Sequence, residues 1–141
     1  MSIHIFHPNR TLGFDLQYVG SQISAGFPSP AEDYWEATFD LNRELIKNPS
    51  STFYGRAKGL SMKDTGVDSG DLLVIDKSLP YRDNALAVCF IDGEFTLKRI
   101  KAAGNTLLLM PANQDYQPIV VKEEADFSVW GIVTYIIKKA Y

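Results

Sequence analysis

The dipeptide Asp92-Gly93 lies between two apolar runs and predicts a tight β-hairpin. Asp-Gly favours a two-residue loop, because both central residues of that turn take a left-handed conformation. Such a loop pairs Ile91 with Glu94, and counting back along both strands places Ala87 opposite Lys98. Since side chains alternate along a strand, Lys98 shares its face with apolar or small residues. They are Ala85, Ala87, Cys89, Ile91, Thr96 and Ile100.

The opposite face of this hairpin is apolar too, so we expect both faces to be covered. Its residues are Leu86, Val88, Phe90, Phe95 and Leu97. A lysine with little water around it has a destabilised ammonium form, and its neutral amine can act as a general base. Alternatively, the stem of Lys98 lies on the apolar face while its ammonium group reaches solvent or a carboxylate such as Glu94 or Asp92. The pattern leaves both interpretations open.

The chain after residue 50 is divided by turn signals into short runs, which predicts a compact, mainly β domain. The turn signals include Asp68-Ser69-Gly70-Asp71 and Gly104-Asn105. The expected strands are 52–58, 72–76, 85–91, 94–100, 106–110, 118–121 and 127–137.

The chain before residue 50 has a different sequence pattern. Residues 1–28 show no sustained period, which is typical of an extended arm. Ser29-Pro30-Ala31-Glu32 has the pattern of a capped helix start, and a second short helix is expected from Asp40 to Lys47. We therefore divide the chain into an N-terminal arm, residues 1–38, and a β-rich domain, residues 39–141.

Composition and charge argue against several classes of protein. A chain of 141 residues is enough for one domain with one core. A net charge of −3 and a pI near 5.3 argue against direct, sequence-specific binding of nucleic acid, which needs a basic face. No apolar run approaches the length of a membrane span, and the N-terminus does not read as a signal peptide. We expect a cytoplasmic protein with no membrane partner.

The cysteine and histidine content indicates neither a disulfide nor a metal site. Cys89 is the single cysteine and lies inside an apolar run, so we interpret it as a buried thiol in a reducing compartment. His4 and His7 have no nearby cysteine and no carboxylate cluster to complete a ligand set. We expect no metal and no cofactor.

Ser61 lies in a polar stretch between two predicted strands, where a serine is most often an ordinary loop residue. Serine becomes a nucleophile only when a base removes its proton, and Lys98 could supply that base. What favours this chemistry is the order of several short motifs along the chain. They are Ala25-Gly26-Phe27-Pro28-Ser29-Pro30, Asp40-Leu41-Asn42, Gly59-x-Ser61-Met62, the run Ser69 to Asp76, Asp92-Gly93-Glu94-Phe95-Thr96-x-Lys98, and Trp130-Gly131-Ile132-Val133.

On these motifs the chain resembles the UmuD family of SOS mutagenesis proteins, which are akin in their C-terminal domain to the LexA repressor. The resemblance runs from about residue 20 to about residue 137. It implies a LexA/UmuD-like peptidase domain of several short strands, preceded by the extended arm. It also implies a serine endopeptidase that cleaves itself in the arm.

The resemblance gives each residue of the reaction a role. Ser61 attacks the carbonyl of Ala25, and Lys98 takes the serine proton and passes it to the departing amine of Gly26. Backbone N–H groups of Leu60 and Ser61 are the implied oxyanion donors. Many relatives carry a small or polar residue where this chain has Leu60, so the chain departs from the family pattern in the oxyanion loop.

The resemblance also implies partners. Cleavage follows an encounter with the RecA–single-stranded DNA filament, and the shortened homodimer then joins a UmuC-like Y-family polymerase in translesion synthesis. The closing strand 127–137 is apolar on both faces, so as an exposed edge it would need a cover, which the homodimer would supply. The alternative is that this strand lies inside the sheet of a monomer.

Three other functions stay open. A LexA-like repressor would need a helix-turn-helix domain, and the 60 residues before Ser61 lack that periodicity. A Ser-Lys processing peptidase acting on other proteins, of the signal-peptidase kind, would need a membrane anchor. A β-rich binding module without catalysis is the third alternative.

Overall fold

The computed structural model describes residues 2–6, 16–19, 35–59, 65–110, 118–121 and 127–141. In these residues it is mainly β, which confirms the predicted fold class. The elements are β1 (Ser2–Phe6), β2 (Leu16–Val19), β3 (Trp35–Phe39), α1 (Leu41–Leu45), β4 (Thr52–Lys58), β5 (Leu72–Asp76), β6 (Leu86–Ile91), β7 (Glu94–Ala103), β8 (Thr106–Met110), β9 (Ile119–Val120) and β10 (Phe127–Ile137).

The chain forms two compact units. One comprises Met1–Pro8 and Asn48–Tyr141, and the other comprises Asn9–Lys47. In the second unit β2 and β3 pair antiparallel, and α1 follows β3. Asp40 caps α1, because its side chain accepts a hydrogen bond of 3.0 Å from the backbone N–H of Asn42. The helix expected from Asp40 is therefore present, whereas the helix start at 29–32 lies outside the described residues.

The first unit is built on one eight-stranded sheet. Its strand order is β1-β4-β5-β10-β6-β7-β8-β9, and every neighbouring pair is antiparallel. The sheet curls, so that β1 at one edge also lies near β7. The bounds of β4, β5, β8 and β10 are those predicted, and β6, β7 and β9 differ by one to three residues at their ends.

Strand β10 lies in the middle of this sheet, with β5 on one side and β6 on the other. The interpretation of residues 127–137 as an exposed edge is therefore wrong, and the alternative of an internal strand is confirmed. The physical reason is that a strand buried between neighbours is also apolar on both faces. Its apolar pattern thus gives no support for a dimer.

Strand β1 was not predicted, although Ser2–Phe6 pairs with β4 over its whole length. Ile3 and Ile5 pack against the main apolar cluster of the first unit, so these five residues belong to the body of the fold. The alternation of Ile3 and Ile5 with polar neighbours was the available signal, but it covers too few residues to stand out.

The two faces of the β6–β7 hairpin contribute to two separate apolar clusters. Leu86, Val88 and Leu97 point into the larger cluster, which includes Leu73 and Ile75 of β5. The smaller cluster contains Ala87, Cys89, Ile100 and Leu109. The helical part of the described chain contains no segment long and apolar enough to cross a lipid bilayer.

Candidate active site

The β6–β7 hairpin places Lys98 as the sequence predicts. Asp92 and Gly93 form the turn with φ values of 49° and 84°, the left-handed conformation that a two-residue loop of this type requires. Ile91 pairs with Glu94, and Ala87 pairs with Lys98. The face that Lys98 occupies is thus fixed by the register of the hairpin.

Among the described residues, the surroundings of Lys98 are apolar on one side and open on the other. Ala87, Cys89 and Ile100 on the same face are fully buried, while Lys98 and Thr96 are half-buried. An open groove of about 440 Å³ runs along this face and is lined by Ile91, Asp92, Glu94, Thr96 and Lys98. Lys98 therefore lines a groove on the same face as the buried residues Ala87, Cys89 and Ile100. The expected complete cover of this face is not found in the described residues.

The carboxylates that could have held Lys98 in a surface ion pair do not do so. Among the described residues, neither Asp92 nor Glu94 has a carboxylate oxygen within 4.0 Å of the Lys98 amine. Both nevertheless line the groove, where they are exposed. The alternative in which one of these carboxylates holds the lysine is thus not seen in the described part of the chain.

Cys89 is a buried neighbour of Lys98 on the adjacent strand. Its side chain is fully excluded from solvent, and burial raises the pKa of the Cys89 thiol to about 12. The positive charge of Lys98 opposes this rise, which indicates that the two groups interact electrostatically. The thiol stays protonated at neutral pH, so it is a packing residue rather than a nucleophile.

The described residues on either side of the Ser61 segment are held by hydrogen bonds. Before it, the N–H of Gly59 donates to the hydroxyl of Ser69 over 3.3 Å. After it, Thr65 and Val67 are buried, and the N–H of Asp68 donates to the Asp71 carboxylate over 2.7 Å. The described residues on both sides of the Ser61 segment are thus held in place within the first unit.

A second contact fixes the same region to the end of the chain. The ammonium group of Lys138 donates to Asp68 over 2.7 Å and also to Asp71. These hydrogen bonds raise the pKa of Lys138 above its ordinary value. Asp71 is almost fully buried, so this lysine supplies the charge that its carboxylate needs. Sequence analysis missed this contact, since its partners are 67 and 70 residues apart.

The other candidate site residues lie outside the described part of the chain. These are Ala25, Gly26, Leu60 and Ser61. The structure thus places Lys98 and the residues that flank the Ser61 segment, and the pairing of Ser61 with Lys98 stays a prediction.

Comparison with known proteins assigns the family. The Peptidase S24-like family model matches residues 17–134, which is most of the chain. Protein SamA of Salmonella typhimurium is 44% identical over 115 residues, covering 82% of this chain and 79% of SamA. Protein ImpA of Salmonella typhimurium is 40% identical, covering 96% of this chain and 94% of ImpA.

Two further relatives extend the comparison. Protein MucA of Escherichia coli is 36% identical over 141 residues, covering 96% of this chain and 93% of MucA. The LexA repressor of Edwardsiella ictaluri is 38% identical over 87% of this chain, but the match spans only 60% of the repressor. The chain therefore belongs to the Peptidase S24-like family of self-cleaving serine peptidases, as a UmuD/MucA-like member.

Proposed function

We propose that this chain cuts its own peptide bond between Ala25 and Gly26 and thereby becomes an accessory subunit of an error-prone polymerase. The observation that carries the proposal is the position of Lys98. Lys98 lines a groove on a face with buried apolar residues, and its amine makes no ion pair with the described carboxylates. Family membership adds the serine peptidase chemistry for which such a lysine is suited.

In the proposed reaction the Ser61 hydroxyl attacks the carbonyl carbon of Ala25 while the neutral Lys98 amine takes its proton. Backbone N–H groups of Leu60 and Ser61 donate to the oxyanion. The bond from Ala25 to Gly26 then breaks, and Lys98 returns the proton to the departing amine. Water hydrolyses the resulting ester and regenerates the serine. The position of Lys98 in the groove, with no described carboxylate within ion-pair distance, supports this scheme.

The partners in this proposal follow from the UmuD-type family. The encounter with a RecA–single-stranded DNA filament triggers cleavage, and the shortened homodimer joins a UmuC-like Y-family polymerase for translesion synthesis. These partners place the protein in the cytoplasm. The negative net charge agrees with partners that are proteins rather than bare nucleic acid.

The test is the intact mass of the purified chain after incubation with the RecA filament and, separately, at alkaline pH without it. The expected product begins at Gly26. Ser61→Ala should abolish this product. Ser128→Ala, which changes an exposed serine on β10, should give the same product as the unaltered chain. A product with another N-terminus, or processing by the Ser61→Ala chain, would contradict the proposed cleavage.

The proposed homodimer needs its own test, because β10 is internal. Sedimentation at micromolar concentration should give about twice the chain mass. A charge at Ile136 is a poor probe, since this side chain packs against the main core. Tyr135 is 41% exposed on the same strand, so Tyr135→Glu tests the surface near the C-terminus without opening the core. A monomer in the unaltered chain would contradict the dimer.

A further inference from the structure

Strand β1 pairs with β4 at one edge of the eight-stranded sheet. The pairing is antiparallel and aligns Ile3 with Ala57 and Ile5 with Gly55. A short edge strand is the part of a sheet that most easily exchanges for another, because only one neighbour holds it by backbone hydrogen bonds. The edge of β4 beneath it therefore has the geometry of a strand-accepting site.

The side chains of β1 cover an apolar surface of the first unit. Ile3 and Ile5 both pack against the main core cluster. Gly55 makes room for Ile3 and for Ile75 of β5: a Cβ atom at position 55 would lie 2.8 Å from Cγ2 of Ile3 and 2.7 Å from Cδ1 of Ile75. On the other face, the ring of Phe6 contacts those of His4 and Tyr54, with centroids 6.1 and 5.8 Å away. The surface thus selects a strand with aliphatic residues two positions apart.

The backbone of β4 is also arranged to accept a strand here. The N–H of Ala57 donates to the carbonyl of Asp71, and its carbonyl accepts from Gly70, so both groups of Ala57 point away from β1. By alternation along the strand, the N–H and carbonyl of Arg56 point toward β1, where His4 is the paired residue. Loss of β1 would leave these groups unpaired and an apolar surface uncovered.

The chemistry of cleavage gives this arrangement a purpose. β1 lies before Ala25, so a cut after residue 25 would separate β1 covalently from β4. A strand held only by non-covalent contacts no longer has the high effective concentration of a tethered segment. A competing strand can then replace it.

We propose that the β4 edge is a strand-docking site for a partner protein, covered by β1 until the chain is cut. The partner supplies an extended segment that pairs antiparallel with Thr52–Lys58 and carries two aliphatic side chains at alternate positions, in the places of Ile3 and Ile5. The release of β1 by cleavage rests on the proposed function, but the docking site on β4 does not.

The test uses the full chain carrying Ser61→Ala, so its result does not depend on cleavage. The probe is a fluorescein-labelled synthetic peptide with the sequence of residues 1–8, and binding is measured by fluorescence anisotropy. Ile3→Asp with Ile5→Asp in the chain should open the edge and tighten peptide binding at least about tenfold, since the tethered strand no longer competes. His4→Gln, which keeps both isoleucines, should bind the peptide as weakly as the chain with Ser61→Ala alone.

A second variant covers the case in which the double aspartate chain fails to fold by circular dichroism. His4→Pro removes the backbone donor that faces Arg56 and leaves both isoleucines in place, so it should also favour the added peptide. A peptide with aspartate at both isoleucine positions should not bind. Equal binding of the two peptides, or no gain in either open variant, would overturn the site. An open variant without peptide that sediments at about twice the mass of the Ser61→Ala chain alone would show that a second copy, not a partner strand, takes the edge.

Discussion

The two faces of the β6–β7 hairpin are both apolar in sequence, yet they serve different purposes in the structure. The face with Leu97 joins the main core, where Phe53, Phe95 and Trp130 pack with ring centroids 5.1 to 5.4 Å apart. The face with Lys98 has a smaller buried cluster and an open groove above it. An apolar pattern alone therefore does not distinguish a core from the floor of a site. In this hairpin, the face that lines the groove is the one that carries Lys98.

Replacement of Lys98 gives the largest effect expected from this comparison. Lys98→Met keeps the apolar stem and removes the proposed base, so self-cleavage should fall on the order of a thousandfold. The free energy of unfolding should change by less than about 1 kcal/mol, because the side chain is only half-buried. Intact mass and urea unfolding measure the two quantities.

Lys101→Met is the matched control for this replacement, since Lys101 is exposed on the same strand. It should cleave normally. Only a neutral amine can accept the serine proton, so intrinsic cleavage of the unaltered chain should rise with pH. Normal cleavage by Lys98→Met would remove the catalytic distinction between the two faces.

Truncation of a leucine on each face tests the packing side of the comparison. Leu97→Ala should lower the free energy of unfolding by about 2 to 5 kcal/mol, because Leu97 is fully buried in the larger cluster. Leu109→Ala makes the same chemical change in the smaller cluster, which lies nearer the sheet edge, and should cost less. Urea unfolding of both variants gives the difference, and a larger loss for Leu109→Ala would reverse our ranking of the faces.

The hairpin also shows what sequence could predict. A local turn, Asp92-Gly93, determines its register, so counting from the turn placed Lys98 opposite Ala87. The order of strands in the sheet depends on contacts between distant segments, and β10 was therefore assigned to an edge although its bounds were right. β1 was missed because its alternation covers only five residues and its partner β4 is some 50 residues away. Ser61, Ala25 and Gly26 stay predictions from motif order.

The buried thiol of Cys89, on the same face as Lys98, makes the free energy of unfolding depend on pH. Burial raises the pKa of its thiol from 9.0 to about 12, so the folded chain keeps the proton that the unfolded chain loses. The stabilisation is complete below about pH 9 and is lost as the pH rises toward about 12. In that window the free energy of unfolding should fall by up to about 1.4 kcal/mol per pH unit from this group.

The measurement for Cys89 is urea unfolding at several pH values between about 8 and 11. Cys89→Ala should lose stability at neutral pH through the smaller side chain but decline less steeply with rising pH. Lysine and tyrosine side chains also titrate in this range, so only the difference between the two chains is informative. If the free energy of unfolding falls equally steeply with pH in both chains, the Cys89 thiol is more exposed to solvent than the structure indicates.

Lys77 gives the smallest expected effect and contrasts with Lys98. Its ammonium group lies 4.8 Å from the ring centroid of Trp130 and 5.8 Å from that of Phe53, on the aromatic cluster of the core face. Lys77→Met should lower the free energy of unfolding by about 0.5 to 1 kcal/mol through loss of the cation–π contact. Self-cleavage should not change, because this lysine belongs to the core face. Tryptophan fluorescence during urea unfolding reports the stability, and both Trp35 and Trp130 contribute to the signal. Reduced cleavage in a chain that remains folded would show that the two faces are coupled, and Lys77 could no longer be treated as separate from Lys98, the proposed catalytic lysine.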